Sequence, residues 1–187
     1  MYQICVSGAH TGSSVEEGKK MAGLVGAAIA KAGHSLLTGA TVGLPNYAAE
    51  AYKAAGGKMS VGISPASSKI EHVMKYHLPT EAYDAIIYTG MHYVGRDAFL
   101  INSSDAVISI GGRMGTFHEF ATAVETDTPI GFFLGSGGVS TEIMDVLHAT
   151  GEENNKRVVF GKTPEEVLAR LTAILNIDNA KYKDLYK

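Results

Sequence analysis

The sequence predicts an α/β fold, a doubly wound parallel sheet of about seven strands in a single domain. Short apolar runs rich in β-branched residues alternate along the chain with longer segments of helical periodicity, as repeated strand–helix units do. Several of these runs end in turns that contain glycine. The chain has 187 residues, of which 45% are hydrophobic and 19% charged, so it is long enough for one domain with a complete core.

The first half of the chain is predicted to hold three strands and two helices. We expect strands at 2–7, 34–38 and 60–63, and helices at 13–32 and 46–55. Ser13 or Ser14 can cap the first helix, Gly33 ends it, and Pro45 suits the first turn of the second. Residues 64–84 are predicted to form a long irregular excursion with one or two helical turns.

The second half continues the alternation. We expect strands at 85–88, 106–110, 129–134 and 157–160, and helices at 94–103, 115–125, 140–150 and 163–175. Ser140 and Thr163 are the expected caps of the last two helices. The domain is predicted to span residues 1–177, followed by a loosely attached tail at 178–187 that contains Tyr182 and Tyr186.

Composition excludes several classes of partner. The net charge of −3 and the pI of about 6.1 leave no basic surplus for binding nucleic acid. No apolar run approaches the length of a membrane span, and the N-terminus lacks the pattern of a signal peptide. The single cysteine, Cys5, falls in a predicted buried strand, so the chain cannot form an internal disulfide. We therefore expect a cytoplasmic protein with no membrane partner.

The stretch from Asp105 to Glu125 carries the strongest functional signal. It joins a predicted buried strand to a predicted helix through Gly111, Gly112 and Gly115. A glycine turn that leads into a helix N-terminus can bind an anion, because free backbone N–H groups and the helix dipole converge there. The same residues allow a second interpretation, in which Thr116 and Glu119 only form a capping box at the start of the helix.

Three predicted strands end in glycine turns, after Ser7, Thr38 and Ile110. In a doubly wound sheet the ligand binds beyond the carboxyl ends of the strands, at the point where the strand order reverses. This convergence favours a ligand site over simple capping. The predicted phosphate- or nucleotide-binding residues are Gly8, Gly39, Thr41, Gly43, Gly111, Gly112, Arg113, Met114, Gly115 and Thr116.

Several cofactors do not fit the pattern. The first turn has only Gly8 and Gly12, and no acidic residue ends the second strand, so NAD is unexpected. No lysine occurs between Lys75 and Lys156, which excludes a Walker-type loop or a pyridoxal phosphate lysine from the glycine-rich part. The seven histidines lack metal-ligand spacing. We expect neither a metal nor a cofactor.

The polar residues near the glycine turns favour a nucleoside monophosphate or a related phosphorylated small molecule. Arg96 and Glu119 are the candidate catalytic pair, with Ser7, Thr41 and Asp97 as outer candidates. The alternative for Arg96 is an ordinary solvated or paired residue on a helix. We favour its role in the site.

From Arg96 to Glu119 the sequence resembles the LOG (Lonely Guy) family of cytokinin riboside 5′-monophosphate phosphoribohydrolases, many of which have been labelled lysine decarboxylases. The family has an arginine upstream of the motif P-G-G-x-G-T-x-x-E, and here Arg96, the run from Gly111 to Thr116, and Glu119 match it. The turn 39–44 matches an earlier glycine motif of the family loosely. The resemblance covers roughly residues 2–175 and implies a Rossmann-like fold, with Arg96 and Glu119 in catalysis.

The chain departs from the family pattern at three places. Ile110 replaces the proline before the glycine pair, and Asp97 replaces the lysine that usually follows the arginine. The family's histidine-bearing run before the arginine reads Tyr93-Val94-Gly95 here. An acid beside Arg96 weakens its attraction for phosphate. Related branches, including the molybdenum-cofactor carrier proteins, keep the fold and the glycine loop but bind rather than hydrolyse.

Two functions therefore remain open. The first is a hydrolase that cleaves the N-glycosidic bond of a nucleoside 5′-monophosphate to release base and ribose 5-phosphate. The second is a non-catalytic nucleotide or molybdenum-cofactor binding or carrier protein. In either case we expect a homodimer or a higher homo-oligomer, because the resemblance implies it and because the helix at 115–125 has little polar surface. Its apolar residues are Phe117, Phe120, Ala121 and Val124.

Overall fold

The computed structural model describes residues 1–134, 142–182 and 185. Within them the chain forms a seven-stranded sheet whose strands all run parallel. The strands are β1 (Gln3–Gly8), β2 (Ser35–Thr38), β3 (Ser60–Ser64), β4 (Ala85–Tyr88), β5 (Ala106–Ile110), β6 (Ile130–Phe133) and β7 (Val158–Gly161). Every residue of β2, β5 and β6 is buried, as expected for parallel strands covered on both faces.

The strand order is β4-β3-β2-β1-β5-β6-β7. The order reverses between β1 and β5, which pair from Ile4 opposite Ala106 to Gly8 opposite Ile110. The predicted doubly wound α/β fold in one domain is confirmed. The carboxyl ends of β1 and β5 therefore form the switch point where ligands of such sheets bind.

Six α-helices cover the two faces of the sheet in the described part of the chain. They are α1 (Ser13–Lys31), α2 (Leu44–Ala54), α3 (His92–Asn102), α4 (Met114–Glu125), α5 (Ile143–Thr150) and α6 (Pro164–Tyr182). The core has two layers. Helices α1, α2 and α6 pack with Ile4 and Val6 of β1 on one face, and α3, α4 and α5 pack with Cys5 on the other. This alternation follows from the two-residue period of a strand.

Some helix boundaries differ from the predicted ones. α2 and α3 each begin two residues earlier than expected. The predicted cap Ser140 and the tail residue Tyr186 lie outside the described residues. The other predicted cap, Thr163, accepts a hydrogen bond from the backbone N–H of Glu166 at 3.2 Å, as a cap of α6 should.

The predicted end of the last helix at residue 175 is wrong, because α6 continues to Tyr182. Asp178 in this extension forms an ion pair with Arg157 at 2.8 Å, which ties the final turns to the residue before β7. The division into a domain at 1–177 and a tail at 178–187 remains a prediction.

The excursion between β3 and β4 contains a five-residue π-helical segment, Glu71–Lys75. His72 in this segment is fully buried. Its Nδ1 lies 2.8 Å from Ser64 Oγ and its Nε2 lies 3.0 Å from the carbonyl oxygen of Pro79. His72 is therefore a satisfied core histidine that fastens the excursion to the end of β3. Among the described helices, none is long and apolar enough to cross a membrane.

Candidate functional site

A cleft opens at the switch point, where the turns after β1, β2 and β5 meet the starts of α3 and α4. Eight of the predicted site residues line it: Gly8, Gly39, Thr41, Arg96, Arg113, Gly115, Thr116 and Glu119. The outer candidates Ser7 and Asp97 line it as well. The fold thus brings together residues that are up to 112 positions apart in the chain. Their roles toward a ligand remain predictions.

Glu119 lies at the bottom of this cleft, with only 8% of its surface exposed. Its carboxylate accepts a hydrogen bond from Ser7 Oγ at the end of β1. Arg96 Nη1 lies 3.7 Å from Glu119 Oε1.

Burial raises the pKa of Glu119 to about 7. The positive charge of Arg96 acts in the opposite direction, and the carboxyl group of Asp97 adds to the rise. A carboxyl group with a pKa near neutrality can both take and give a proton at physiological pH. Glu119 is therefore a buried carboxyl group with a raised pKa rather than a solvated surface residue.

The capping-box interpretation of Glu119 is wrong. α4 begins at Met114 after Arg113, so Thr116 is already inside the helix and cannot be its cap. No side chain caps this helix N-terminus. The carboxylate of Glu119 reaches Ser7 on the sheet instead of the backbone of its own helix.

Arg96 is buried between two acids and against a glycine. Its Nη2 lies 3.5 Å from Asp97 Oδ1, and its Nε is buried without a hydrogen-bond partner among the described residues. A Cβ atom at Gly39 would lie 1.8 Å from Arg96 Nη1. Gly39 therefore makes room for the guanidinium group, a role that no sequence pattern indicated.

Asp97 connects the buried acids to the outside of α4. Its Oδ2 lies 3.0 Å from Nδ1 of His118, whose side chain is partly exposed and does not line the cleft. The residue that departs from the family pattern thus contacts both Arg96 and His118, and its charge raises the pKa of Glu119.

The three glycines after β5 differ in their surroundings: Gly111 and Gly112 are buried in the loop, and Gly115 is exposed at the start of α4. Gly112 has φ of +105°, and a Cβ there would lie 2.2 Å from Thr116 Oγ1. Gly111, with φ of +56°, is buried, and Met114 is exposed outside the cleft. A Cβ on Gly115 would meet nothing within 4 Å. The first turn of α4 is therefore open to the cleft at Gly115.

The turn after β2 is packed against the turn after β1. Gly43 has φ of +82°, and a Cβ there would lie 2.5 Å from the carbonyl oxygen of Ala9. The backbone N–H of Leu44 donates to the same oxygen at 2.9 Å. Gly43 does not line the cleft but holds two of its walls together.

The prediction missed five lining residues, namely Val6, Ala9, His10, Pro45 and Tyr93. His10 lies in the glycine-bearing exit turn of β1, so its place in that turn was the available signal. Tyr93 was noted only as a departure from the family pattern. Within the described ranges, no group of three or more histidine, cysteine or acidic residues could hold a metal ion.

Comparison with known proteins places the chain among proteins of the same fold. The model of the SLOG cluster4 family matches residues 1–168. An uncharacterized protein of Archaeoglobus fulgidus is 36% identical over 125 residues, which cover 67% of this chain and 75% of that protein.

Two solved structures are similar over almost their full length. The X-ray structure of TM1055 superposes with a TM-score of 0.79 at 26% identity, covering 92% of this chain and 99% of that one. A structure of the molybdenum cofactor (Moco) carrier protein of Chlamydomonas reinhardtii superposes with a TM-score of 0.75 at 26% identity, covering 94% of this chain and 98% of that one. The resemblance to LOG-like proteins predicted from the sequence is confirmed at the level of fold and superfamily.

Proposed function

The chain belongs to the SLOG cluster4 family, and from this membership and the geometry of the cleft we propose that it is a nucleoside 5′-monophosphate phosphoribohydrolase-like enzyme. In this reaction the oxygen of water bonds to C1′ of the ribose while the bond from C1′ to the base nitrogen breaks. The base leaves with the bonding electron pair and takes up a proton, so the products are free base and ribose 5-phosphate.

The state of Glu119 is the observation that carries the proposal. It is a buried carboxyl group with a pKa of about 7 at the bottom of an open cleft. In its ionised form it can accept a proton from the attacking water or stabilise the positive charge that develops on the sugar. A site that only binds phosphate gains nothing from such a group. Burial of the carboxyl group lowers stability, and its ionised form repels the phosphate.

The 5′-phosphate would lie at the N-terminus of α4, against Gly115 and Thr116, with the turn at Gly8 as a neighbouring wall. Within the described residues no side chain caps this helix N-terminus, and the N–H groups of a first helical turn together with the helix dipole favour an anion there. Holding the phosphate fixes the sugar relative to Glu119, which is the main contribution of binding to rate. Arg96 would keep Glu119 in place and contact the base or the sugar.

A specific observation also favours a non-catalytic carrier as the second candidate. The Chlamydomonas protein that superposes with a TM-score of 0.75 is described as a carrier of the molybdenum cofactor. In this chain Asp97 lies 3.5 Å from Arg96, so part of the positive charge available for a substrate is already neutralised. The same cleft would then bind a nucleotide or the molybdenum cofactor without changing it.

Incubation with AMP, GMP, CMP and UMP, followed by chromatography for the free base, separates the two candidates. The hydrolase releases base and an equal amount of ribose 5-phosphate from at least one of them. A protein that binds these monophosphates in calorimetry but releases no base is a carrier, and the hydrolase proposal then fails.

A further inference from the structure

Two aromatic side chains at the cleft are not used by the proposed chemistry. His10 in the turn after β1 and Tyr93 in the first turn of α3 both line the cleft. Their rings are nearly parallel, with an interplanar angle of 19°, and their centroids lie 6.4 Å apart. Tyr93 keeps 42% of its surface exposed although it lies at the cleft. The pair therefore presents aromatic faces that the protein itself does not cover.

Neighbouring groups hold the Tyr93 ring in position. Tyr76 from the excursion before β4 packs edge-on against it, with centroids 5.7 Å apart at 78°. The hydroxyl of Tyr76 lies 2.8 Å from Nδ1 of His92, the first residue of α3. Tyr76 thus supports the ring from outside the cleft, and Tyr76 itself does not line it.

The backbone that carries the His10 ring is packed against a different element. The turn that carries His10 is packed against the start of α2, where a Cβ on Gly43 would lie 2.6 Å from the Cα of His10. Two rings carried by separate elements on one cleft can serve as a stacking platform, because a planar π-system gains from contact with each aromatic face.

The position of Tyr93 on α3 relates this platform to the proposed reaction centre. Tyr93 and Arg96 are three residues apart and therefore lie on one face of the helix, with about 5–6 Å between their Cβ atoms. Arg96 contacts Glu119. A planar ring against Tyr93 would thus be one helical turn from Arg96, the residue that contacts the carboxyl group proposed to act at C1′.

We propose that His10 and Tyr93 form the subsite for a planar aromatic heterocycle, the part of the ligand that is linked through its sugar or side chain to the phosphate. The inference rests on the proposed function, because it places the base of the same monophosphate. Purines and pterins share the required chemistry, a flat π-system with polar edges.

The test compares ligands that have and lack the ring. Formycin 5′-monophosphate is a C-nucleotide whose base is joined through a carbon–carbon bond and cannot be released, and ribose 5-phosphate has no base. Calorimetry on the wild type should show tighter binding of formycin 5′-monophosphate. Tyr93→Leu should weaken the binding of formycin 5′-monophosphate by about tenfold or more, the scale of base stacking on an aromatic side chain. The affinity for ribose 5-phosphate should stay unchanged.

Tyr93→Phe is the matched control, because it keeps the ring and removes only the hydroxyl group. It should retain both affinities. Competition by neopterin monophosphate distinguishes the two heterocycles: stronger displacement by the pterin than by AMP assigns the subsite to a pterin, and the reverse assigns it to a purine.

The inference is overturned if the wild type binds formycin 5′-monophosphate and ribose 5-phosphate alike, or if Tyr93→Leu binds the nucleotide as tightly as the wild type. These outcomes are distinct from failure of the proposed function. If binding depends on Tyr93 but no base is released from AMP, the hydrolase proposal is contradicted and the subsite proposal is supported. Release of base with unchanged affinity in Tyr93→Leu removes the subsite alone.

Discussion

At the scale of single residues, the environment of Glu119 decides what the cleft can do. Ser7 approaches its carboxylate from β1, and Arg96 and Asp97 approach from α3. The buried thiol of Cys5 also senses its charge, because burial first and Glu119 second raise the pKa of that thiol. Arg96 and Glu119 could be predicted because they stand in a recognisable motif. Their contacts with Ser7 and Asp97 could not, because they depend on how β1 and α3 meet in space.

Glu119→Gln tests whether this carboxyl group is catalytic. Glutamine has nearly the same shape but cannot accept a proton, so we expect the fold and monophosphate binding to persist while base release falls by ~100-fold or more. Single-turnover chromatography with AMP and calorimetry measure the two quantities. Glu125→Gln, an exposed position at the end of the same helix, is the control and should behave as wild type. Full activity in Glu119→Gln would exclude the proposed mechanism.

The dependence of stability and of base release on pH, compared between the wild type and Glu119→Gln, tests the raised pKa of Glu119. The pKa of Glu119 is about 7 in the folded protein, above the ordinary value of 4.5 for a glutamate. Its contribution to stability is therefore fully present below about pH 4.5 and is lost as the pH rises through about 7. Urea unfolding should show Glu119→Gln gaining stability relative to wild type between pH 5 and pH 8. Base release by the wild type should rise over the same range, because the ionised carboxylate activates water.

At the scale of elements, α4 and the loop before it contain glycines with different structural roles. Gly112 is required by a positive φ and by the side chain of Thr116, so it shapes the loop. Gly115 faces open space at the helix N-terminus. The sequence predicted the strand, the loop and the helix with an error of one residue at the helix start. It could not separate these two glycines, because the spacing G-G-x-G is the same whether a glycine serves the backbone or the ligand.

Substitution of Gly115 therefore tests the phosphate site without strain on the backbone. Gly115→Asp places a carboxylate in the first turn of α4, where the helix dipole favours it, so stability should be kept or rise by about 0.3–1 kcal/mol. The same charge should repel a phosphate and weaken binding of AMP and ribose 5-phosphate by about tenfold or more. Calorimetry gives the affinities and urea unfolding the stability.

Gly115→Asn is the matched control, since it has the same size as aspartate without the charge. It should bind more tightly than Gly115→Asp. Equal affinities in the two variants, or unchanged affinity in both, would place the phosphate elsewhere in the cleft.

At the scale of the whole molecule, the alternation of strands and helices was enough to predict the parallel sheet and its single domain. Parallel strands need crossover helices, and right-handed crossovers leave few possible orders. The extent of α6 was not predictable in the same way, because residues 176–182 lack an apolar periodicity. Contacts such as the ion pair between Asp178 and Arg157 accompany the helix there.

The surface also shows where a second copy could pack. The prediction of a homo-oligomer used the apolar residues of α4, but Phe120 is buried in the core against Phe132, with ring centroids 5.7 Å apart. Exposed apolar side chains also occur on β4 and α3, where Ile87 and Phe99 line a groove. β4 is one of the two edge strands of the sheet within the described residues, and its side chains are exposed or only partly buried.

We therefore expect self-association through the groove that Ile87 and Phe99 line, because an uncovered apolar surface is stabilised by burial against a second copy. Light scattering at micromolar concentration should give at least twice the monomer mass of 19.7 kDa. Phe99→Glu should shift the protein toward the monomer, since it places a charge in the contact. Leu24→Glu is the matched control: Leu24 is 48% exposed and Phe99 41%, but Leu24 lies on α1, across the sheet from α3. A monomer mass for the wild type, or equal dissociation in both variants, would contradict this placement of the interface.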